Sequence, residues 1–284
     1  MDLSIVIPCF NEAQNVPTMA STLTPVVAEL SRTCSVELLF VDDGSTDGTG
    51  PLLVQAFAAV PNVRIVAHPT NLGLGAAQRT GFAHCTGEVV VTTDSDASYP
   101  FSMIVPLLSY LQPGVDVVTA SAYHPDGGVD SVSRYRIFLS RGASLLYRLL
   151  VDWRVHTYTC LFRAYRRAVV EQVPFESNGF LGVTEVLVNA MLMGFSVQEY
   201  PCRVRPRQHG ASKAKIFRIV GSHLRLQGRL LWRRLAGAWR PRDAAHHGRT
   251  ARPFLASLAY LGEVNTSPLS VDRGHAETPP DGEA

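Results

Sequence analysis

Along the first 120 residues, short apolar runs alternate with longer segments of helical period. LSIVIP (3–8), VELLFV (36–41), NVRIVA (62–67), EVVVTT (88–93) and VDVVTA (115–120) have the length and composition of strands. Between them, NVPTMASTLTPVVAEL (15–30), GTGPLLVQAFAAV (48–60) and GAAQRTGFAHC (75–85) place apolar residues at helical spacing. Strands apolar on both faces and separated by helices predict an α/β fold, with a mainly parallel sheet covered on both sides. Crossovers in such sheets are right-handed, and ligands bind beyond the carboxyl ends of the strands. Three strand-end segments therefore share one rim: PCFNE (8–12), DDGSTDGT (42–49) and TDSDASYP (93–100).

After Ala120 the rhythm changes. YHPDGGVDSVSRYR (123–136) predicts a mobile loop, and IFLSRGASLLYRLL (137–150) a helix. CLFRAYRRAVVEQV (160–173) predicts a strand running into a helix, and GVTEVLVNAMLMGF (182–195) a further helix. Residues 213–240 have the pattern of a basic amphipathic helix. Ile216, Val220, Leu224, Leu231, Leu235 and Trp239 form one stripe, opposed by Arg218, Arg225, Arg229, Arg233 and Arg240. Such a helix either packs its apolar stripe on the protein body or lies on an anionic membrane. The expected organisation is a catalytic domain over 1–212, this helix over 213–240, and a disordered tail over 241–284, where Ala, Pro, Gly and His accumulate.

The 284 residues are 46% hydrophobic and 18% charged, which fits a globular protein. A net charge of +2 hides an asymmetry, because Tyr200 to Arg242 holds twelve Lys/Arg and no Asp or Glu. That points to an anionic partner at this end. The five cysteines are scattered without zinc-type spacing, and the chain begins without a basic flank or long apolar stretch. A cytoplasmic setting follows, and no run is apolar enough to predict a membrane span.

Two motifs fail on inspection. NLGLGAAQRTG (71–81) lacks the third glycine of a dinucleotide fingerprint and follows the third strand, not the first. DDGSTDGT begins like a calcium loop, but Val54 stands where a bidentate Glu is required. What remains is the cluster Glu12, Asp42, Asp43, Asp94 and Asp96. Asp94 and Asp96 alone would be an ordinary turn. Five unpaired acids on one rim repel one another unless a cationic or hydrogen-bonding group joins them. A hard divalent ion carrying a diphosphate is the natural resolution, with Asp42 alternatively accepting from a nucleobase or ribose.

PCFNE, VDDGSTDGT (41–49), LGLGAA (72–77), TDSDAS (93–98), SRGAS (140–144), FRAYRRAVVE (162–171) and RQHGASK (207–213), taken together, resemble family 2 glycosyltransferases of GT-A fold. The likeness is to their dolichyl- or polyprenyl-phosphate mannose synthase branch and covers residues 3–215. It implies a nucleotide-sugar site of Pro8, Phe10, Glu12, Asp42, Asp43, Asp94 and Ser95. It implies Asp94, Asp96 and Ser98 as ligands of Mg2+ or Mn2+, and Asp96, Arg207 and Lys213 as the catalytic groups, with Ser212 beside them. Arg134, Arg136, Arg141 and Ser144 would handle the acceptor phosphate, and Glu185 matches a further acidic position. Thr157 departs from the pattern, standing where the family often has Asp.

The reaction implied is inverting transfer of a mannose- or glucose-type sugar from a GDP- or UDP-linked donor to a polyprenyl or dolichyl phosphate. It would take place at the cytoplasmic face of a membrane. Three rivals remain on sequence grounds: a glycan or other non-lipid acceptor, a nucleotidyltransferase, and a non-catalytic membrane- or nucleic-acid-binding protein. PCFNE lacks the basic glycine-rich loop of a nucleotidyltransferase. The retained acidic pair favours an enzyme whose partners do not include nucleic acid.

Overall fold

A computed structural model describes residues 1–130, 134–206 and 216–237. The elements run β1 (Leu3–Cys9), α1 (Val16–Leu30), β2 (Val36–Asp42), α2 (Thr49–Ala56), β3 (Val63–Ala67), α3 (Leu74–His84), β4 (Val89–Thr92), α4 (Ile104–Ser109) and β5 (Val117–Ser121). They continue as β6 (Gly128–Val129), α5 (Arg134–Leu150), β7 (Arg163–Arg166), α6 (Arg167–Gln172), α7 (Leu181–Leu192), β8 (Val197–Pro201), β9 (Arg203–Val204) and α8 (Ile216–Leu235).

Among the described residues, seven strands form one sheet in the order β3-β2-β1-β4-β7-β5-β8. β7 runs antiparallel to both neighbours, and every other pairing in this sheet is parallel. All seven residues of β1 and of β2 are buried, because helices cover both faces. On one face, Ile5, Ile7 and Phe40 pack with Met19, Leu23 and Phe57 of the α1–α2 layer and Ile104 and Leu107 of α4. On the other, Val6, Leu39 and Val90 meet Phe82 of α3, Val186 and Leu187 of α7, and Leu226 of α8.

Beside the rim where β1, β2 and β4 end, β7 is held by Arg163, which is fully buried. Its guanidinium donates to Thr119 Oγ1, to the Val183 carbonyl and to the Tyr158 carbonyl. The charge is carried by neutral acceptors from three elements, so β5, α7 and the segment entering β7 are fixed together.

Three expectations change. Part of the expected loop 123–136 is ordered: Gly128–Val129 pairs with Arg203–Val204, and α5 already begins at Arg134. β8 pairs with β5 although its sequence gave no strand signal. Among the described side chains of α8, the buried ones are His223, Leu226, Gln227 and Leu230, which belong to neither expected stripe, while Val220 of the apolar stripe is partly buried. Leu224, Leu231 and Leu235 of the apolar stripe stay 47–75% exposed, and Arg218, Arg225, Arg229 and Arg233 opposite are exposed as well. Gln227 lies inward because its amide donates to the Ala143 carbonyl of α5, and His223 because its Nδ1 pairs with Tyr147 Oη at 3.0 Å. The boundary at 212–213, Trp239, Arg240 and the tail from 241 lie outside the described residues.

Candidate functional site

β1 and β2 end side by side, with Cys9 opposite Asp42. The two loops leaving them are stitched together. Asn11, in the left-handed region at φ 52°, donates its N–H to Ser45 Oγ at 2.8 Å and accepts from Thr46 N at 2.7 Å. Glu12 N donates to Thr49 Oγ1, and Ala13 N to Asp47. Desolvation pushes the carboxyl of the exposed Asp47 up, but hydrogen bonds from Thr49 and Ala13 outweigh it and hold the group below the usual carboxylate range. Asp42 accepts from Ser45 N at 3.0 Å, and Gly50 leaves room for it, because a Cβ there would meet Asp42 Oδ2 at 2.7 Å.

Asp43 has a different task. Its Oδ1 accepts from His68 Nδ1 at 2.7 Å and Leu72 N at 2.9 Å. Its Oδ2 accepts from Asn71 Nδ2 and Gly73 N, both at 2.8 Å. One buried carboxylate thus pins the connection between β3 and α3, while still lining the cavity beside it.

β4 delivers the acidic pair. Asp94 is half-buried, and Ser95 and Asp96 are buried. Asp96 Oδ1 accepts from Ser98 N at 2.9 Å across Ala97, which takes φ 53°. An alanine in that region is strained by about 1 kcal/mol or more, a cost tolerated where a tight turn must aim a side chain.

Two cavities meet at this pair. A cavity of 170 Å³ is walled by Pro8, Phe10, Glu12, Asp43, Asp94 and Ser95, with Gly73 and Leu74. A larger one, of 530 Å³, begins at Asp94, Asp96 and Ser98 and runs between α5 and α8 past Ile137, Phe138, Leu146, Ile219, Val220 and Leu224. Leu74, Asp94, Leu161 and Phe180 belong to both walls, so the cavities adjoin. The donor set at the junction is carboxylate and hydroxyl oxygen, which suits a hard divalent ion and not a soft one.

The remaining expected residues are distributed. Asp42 lies at the β2 end but is not part of either wall. Ser144 is buried, accepting from Tyr158 N at 3.3 Å, and so supports the segment entering β7. Arg141 stacks over the Tyr123 ring at 5.2 Å and lines, with Arg148 and His156, a groove of 620 Å³ that adjoins the larger cavity through Tyr123, Ile137, Phe138 and Gly142. Arg134 and Arg136 lie on the first turn of α5. Glu185 accepts from the backbone N–H groups of Glu176 and Ser177, which makes it the holder of that loop. Thr157, in the position of the expected Asp, bonds Ser121 Oγ at 2.8 Å and lines the larger cavity. Arg207, Ser212 and Lys213 lie outside the described residues.

Sequence reasoning missed His223 in the wall of the larger cavity. Burial pushes its imidazole pKa down to about 4.

A family model described as glycosyl transferase family 2 matches residues 4–173. The polyprenol monophosphomannose synthase of Mycolicibacterium smegmatis is 34% identical over 229 residues, 78% of this chain and 82% of that protein. An undecaprenyl-phosphate 4-deoxy-4-formamido-L-arabinose transferase of Pseudomonas fluorescens is 31% identical over 77% of this chain, which spans 61% of that protein's length. Among solved structures, glucosyl-3-phosphoglycerate synthase from Mycobacterium tuberculosis with Mn2+, UDP and phosphoglyceric acid has a TM-score of 0.60 at 21% identity, covering 82% of this chain and 78% of that one. A form with Mg2+ and UDP has a TM-score of 0.60 at 20% identity, covering 83% and 79%. At these identities the likeness is one of fold.

Proposed function

Since this chain belongs to glycosyl transferase family 2, and is thereby a glycosyltransferase, we propose that it moves a hexose from a nucleoside-diphosphate sugar to a polyprenyl phosphate. The observation that carries this reading is the apolar cavity that starts at the acidic pair and runs between α5 and α8. A glycan acceptor would want hydrogen-bonding walls there, whereas Ile137, Phe138, Leu146, Ile219, Val220 and Leu224 suit isoprene units. The curated relatives, named for polyprenol and undecaprenyl-phosphate substrates, agree with it.

In this reading the nucleotide occupies the smaller cavity, against Pro8, Phe10, Glu12 and Ser95, and the sugar lies at the junction. Asp94 and Asp96, with Ser98, would hold a divalent ion. Bound there, the ion supplies charge to offset the negative charge growing on the leaving diphosphate. An acceptor phosphate oxygen forms the new bond to the anomeric carbon as its bond to the diphosphate breaks, inverting the configuration. A phosphate monoester has a second pKa of about 6, so its nucleophilic oxygen is already ionised at neutral pH. The arginines of α5, with Arg207 and Lys213, would position that anion and add electrostatic stabilisation. The exposed Phe138, Leu149, Leu224, Trp232 and Leu235, with the arginines of α8, form a surface fit to rest on an anionic membrane, where such an acceptor resides.

The test is transfer of radiolabelled sugar, from a panel of GDP- and UDP-linked donors, to polyprenyl phosphate in detergent. The expected result is label in a mild-acid-labile lipid with one donor, and at least about a hundredfold loss in Asp96→Asn. Label appearing only in water-soluble product, or an Asp96→Asn variant of unchanged rate, would overturn the proposal.

A further inference from the structure

We propose that His124, His156 and Glu199 form a second divalent-cation site, of zinc type, tying the loop after β5 to the segment that enters β7. Each offers a ligand atom, and these atoms lie within 4.8 Å of one another. The three residues come from separate stretches: just beyond β5, just before Thr157, and within β8. All three are partly buried, and the two imidazole rings meet edge to face at 5.3 Å between centroids.

Glu199 is the anchor. Its Oε1 accepts from His156 N at 2.8 Å and Thr157 N at 3.0 Å, and its Oε2 faces His156 Nδ1 at 2.6 Å. A carboxylate has about four acceptor positions, so one on Oε2 stays open. Two ligands of one tetrahedral ion at bond lengths near 2.0–2.1 Å stand roughly 3.3 Å apart. An ion replacing the proton shared by His156 and Glu199 therefore needs an opening of less than about 1 Å.

His124 is prepared from its other side. Its Nδ1 is contested by two groups of Asp126, the backbone N–H at 3.2 Å and the carboxylate at 3.5 Å. If His124 coordinates through Nε2, the proton stays on Nδ1 and selects the carboxylate, the carboxylate–histidine–metal arrangement that orients a ligand ring. Two imidazoles, which are borderline ligands, completed by one carboxylate make a His2Glu set that zinc takes in preference to magnesium. That chemistry differs from the oxygen-only set at Asp94, Asp96 and Ser98, so the two sites would select different ions.

The consequence is local. Thr157 follows His156 directly and lines the apolar cavity together with Tyr123, the neighbour of His124. A bound ion would lock that wall. The proposal does not depend on what the cavity accepts.

The test uses untagged, metal-stripped full-length protein titrated with Co2+, whose visible absorption is intense in low-coordinate nitrogen-containing sites and weak in octahedral oxygen sites. One equivalent should give the intense band, and Zn2+ should displace it. His124→Ala and His156→Ala should each abolish the band while Asp96→Asn keeps it. Zn2+ at a hundredfold excess over its Kd should raise the wild-type Tm by roughly 5–10 °C. No intense band, or a band lost in Asp96→Asn and kept in His124→Ala, would overturn the proposal. If His156→Ala does not fold, His124→Ala decides, since its loop position is surface-accessible.

Discussion

Asp43→Asn tests whether the acid beside the nucleotide cavity acts as a loop clamp. The carboxylate receives four donors, two on each oxygen, and its side chain is 4% exposed. A carboxamide has one oxygen and one NH2, so two donors must face NH2 in either orientation. Toward Oδ2, the Asn71 amide can flip to accept, but Gly73 N cannot. Toward Oδ1, His68 can change tautomer, its Nε2–H then donating to Thr80 Oγ1 at 2.9 Å on the far side, but Leu72 N cannot change. One backbone N–H is therefore always left without an acceptor, at about 1–3 kcal/mol. The surviving bonds also lose their charge assistance, which brings the total to about 2–4 kcal/mol. For a protein of this size, that lowers Tm by roughly 4–16 °C. Asn71, Gly73 and Leu74 also wall the cavity, so affinity for a nucleoside diphosphate should fall as well. Urea denaturation and calorimetric titration of the same preparation measure both. A stability change under about 0.5 kcal/mol would refute the clamp. Lost affinity without lost stability would mark Asp43 as a direct ligand.

Three further outcomes follow from the same structure. In Gly75→Ala, a Cβ would stand 2.0 Å from the Ser177 carbonyl oxygen and 2.8 Å from that of Gly179, both backbone, so a loss of about 1–3 kcal/mol or more is expected by thermal melting. His223, neutral and buried with a pKa near 4 against 6.5 when unfolded, contributes stability fully present above pH 6.5 and lost as pH falls through 4. About 3 kcal/mol of the acid-induced loss in that window should disappear in His223→Gln, read from urea midpoints between pH 4 and pH 7.5. Trp232→Ala, at a side chain 73% exposed, should weaken sedimentation with anionic vesicles about tenfold, and added salt should weaken it further.

Much of this architecture was legible because a parallel sheet buried on both faces writes apolar runs into its strands. Ile5, Ile7, Leu38, Phe40, Val89 and Val91 are such runs, and they fixed where the acidic loops had to emerge. β8, with the sequence VQEYP, lies at the sheet edge and carries Glu199 for a purpose other than packing, so no run announced it. β7 opens with Arg163, a residue whose burial depends on acceptors from β5, α7 and the Tyr158 carbonyl, none of them visible in a local window. On α8 the helical wheel separated an apolar stripe from a basic one, yet the packed face is a third stripe containing His223 and Gln227. Those two are inward because Tyr147 and Ala143 of α5 satisfy them, and hydropathy reads them as surface. The acidic rim was found from spacing, but spacing could not separate Asp43, which holds a loop, from Asp94, which faces both cavities.

The chemistry of the larger cavity narrows the acceptor further than its shape does. Transfer to a hydroxyl needs a group to take its proton near neutral pH. Among the described residues of this wall, the carboxylates are Asp94 and Asp96, which the divalent ion would engage. Burial pushes Tyr99 and Tyr123 up from their ordinary range and raises Cys160 to about 11. These groups stay protonated. His223 is neutral, but its Nδ1 is engaged with Tyr147, and a pKa near 4 makes it a weak base. Glu185, close in sequence to Val183 of the wall, spends its carboxylate on two backbone N–H groups. A cavity furnished in this way is poorly equipped to activate an alcohol. It is well matched to a nucleophile that arrives ionised and attached to a long apolar chain, which is the chemistry of a polyprenyl phosphate.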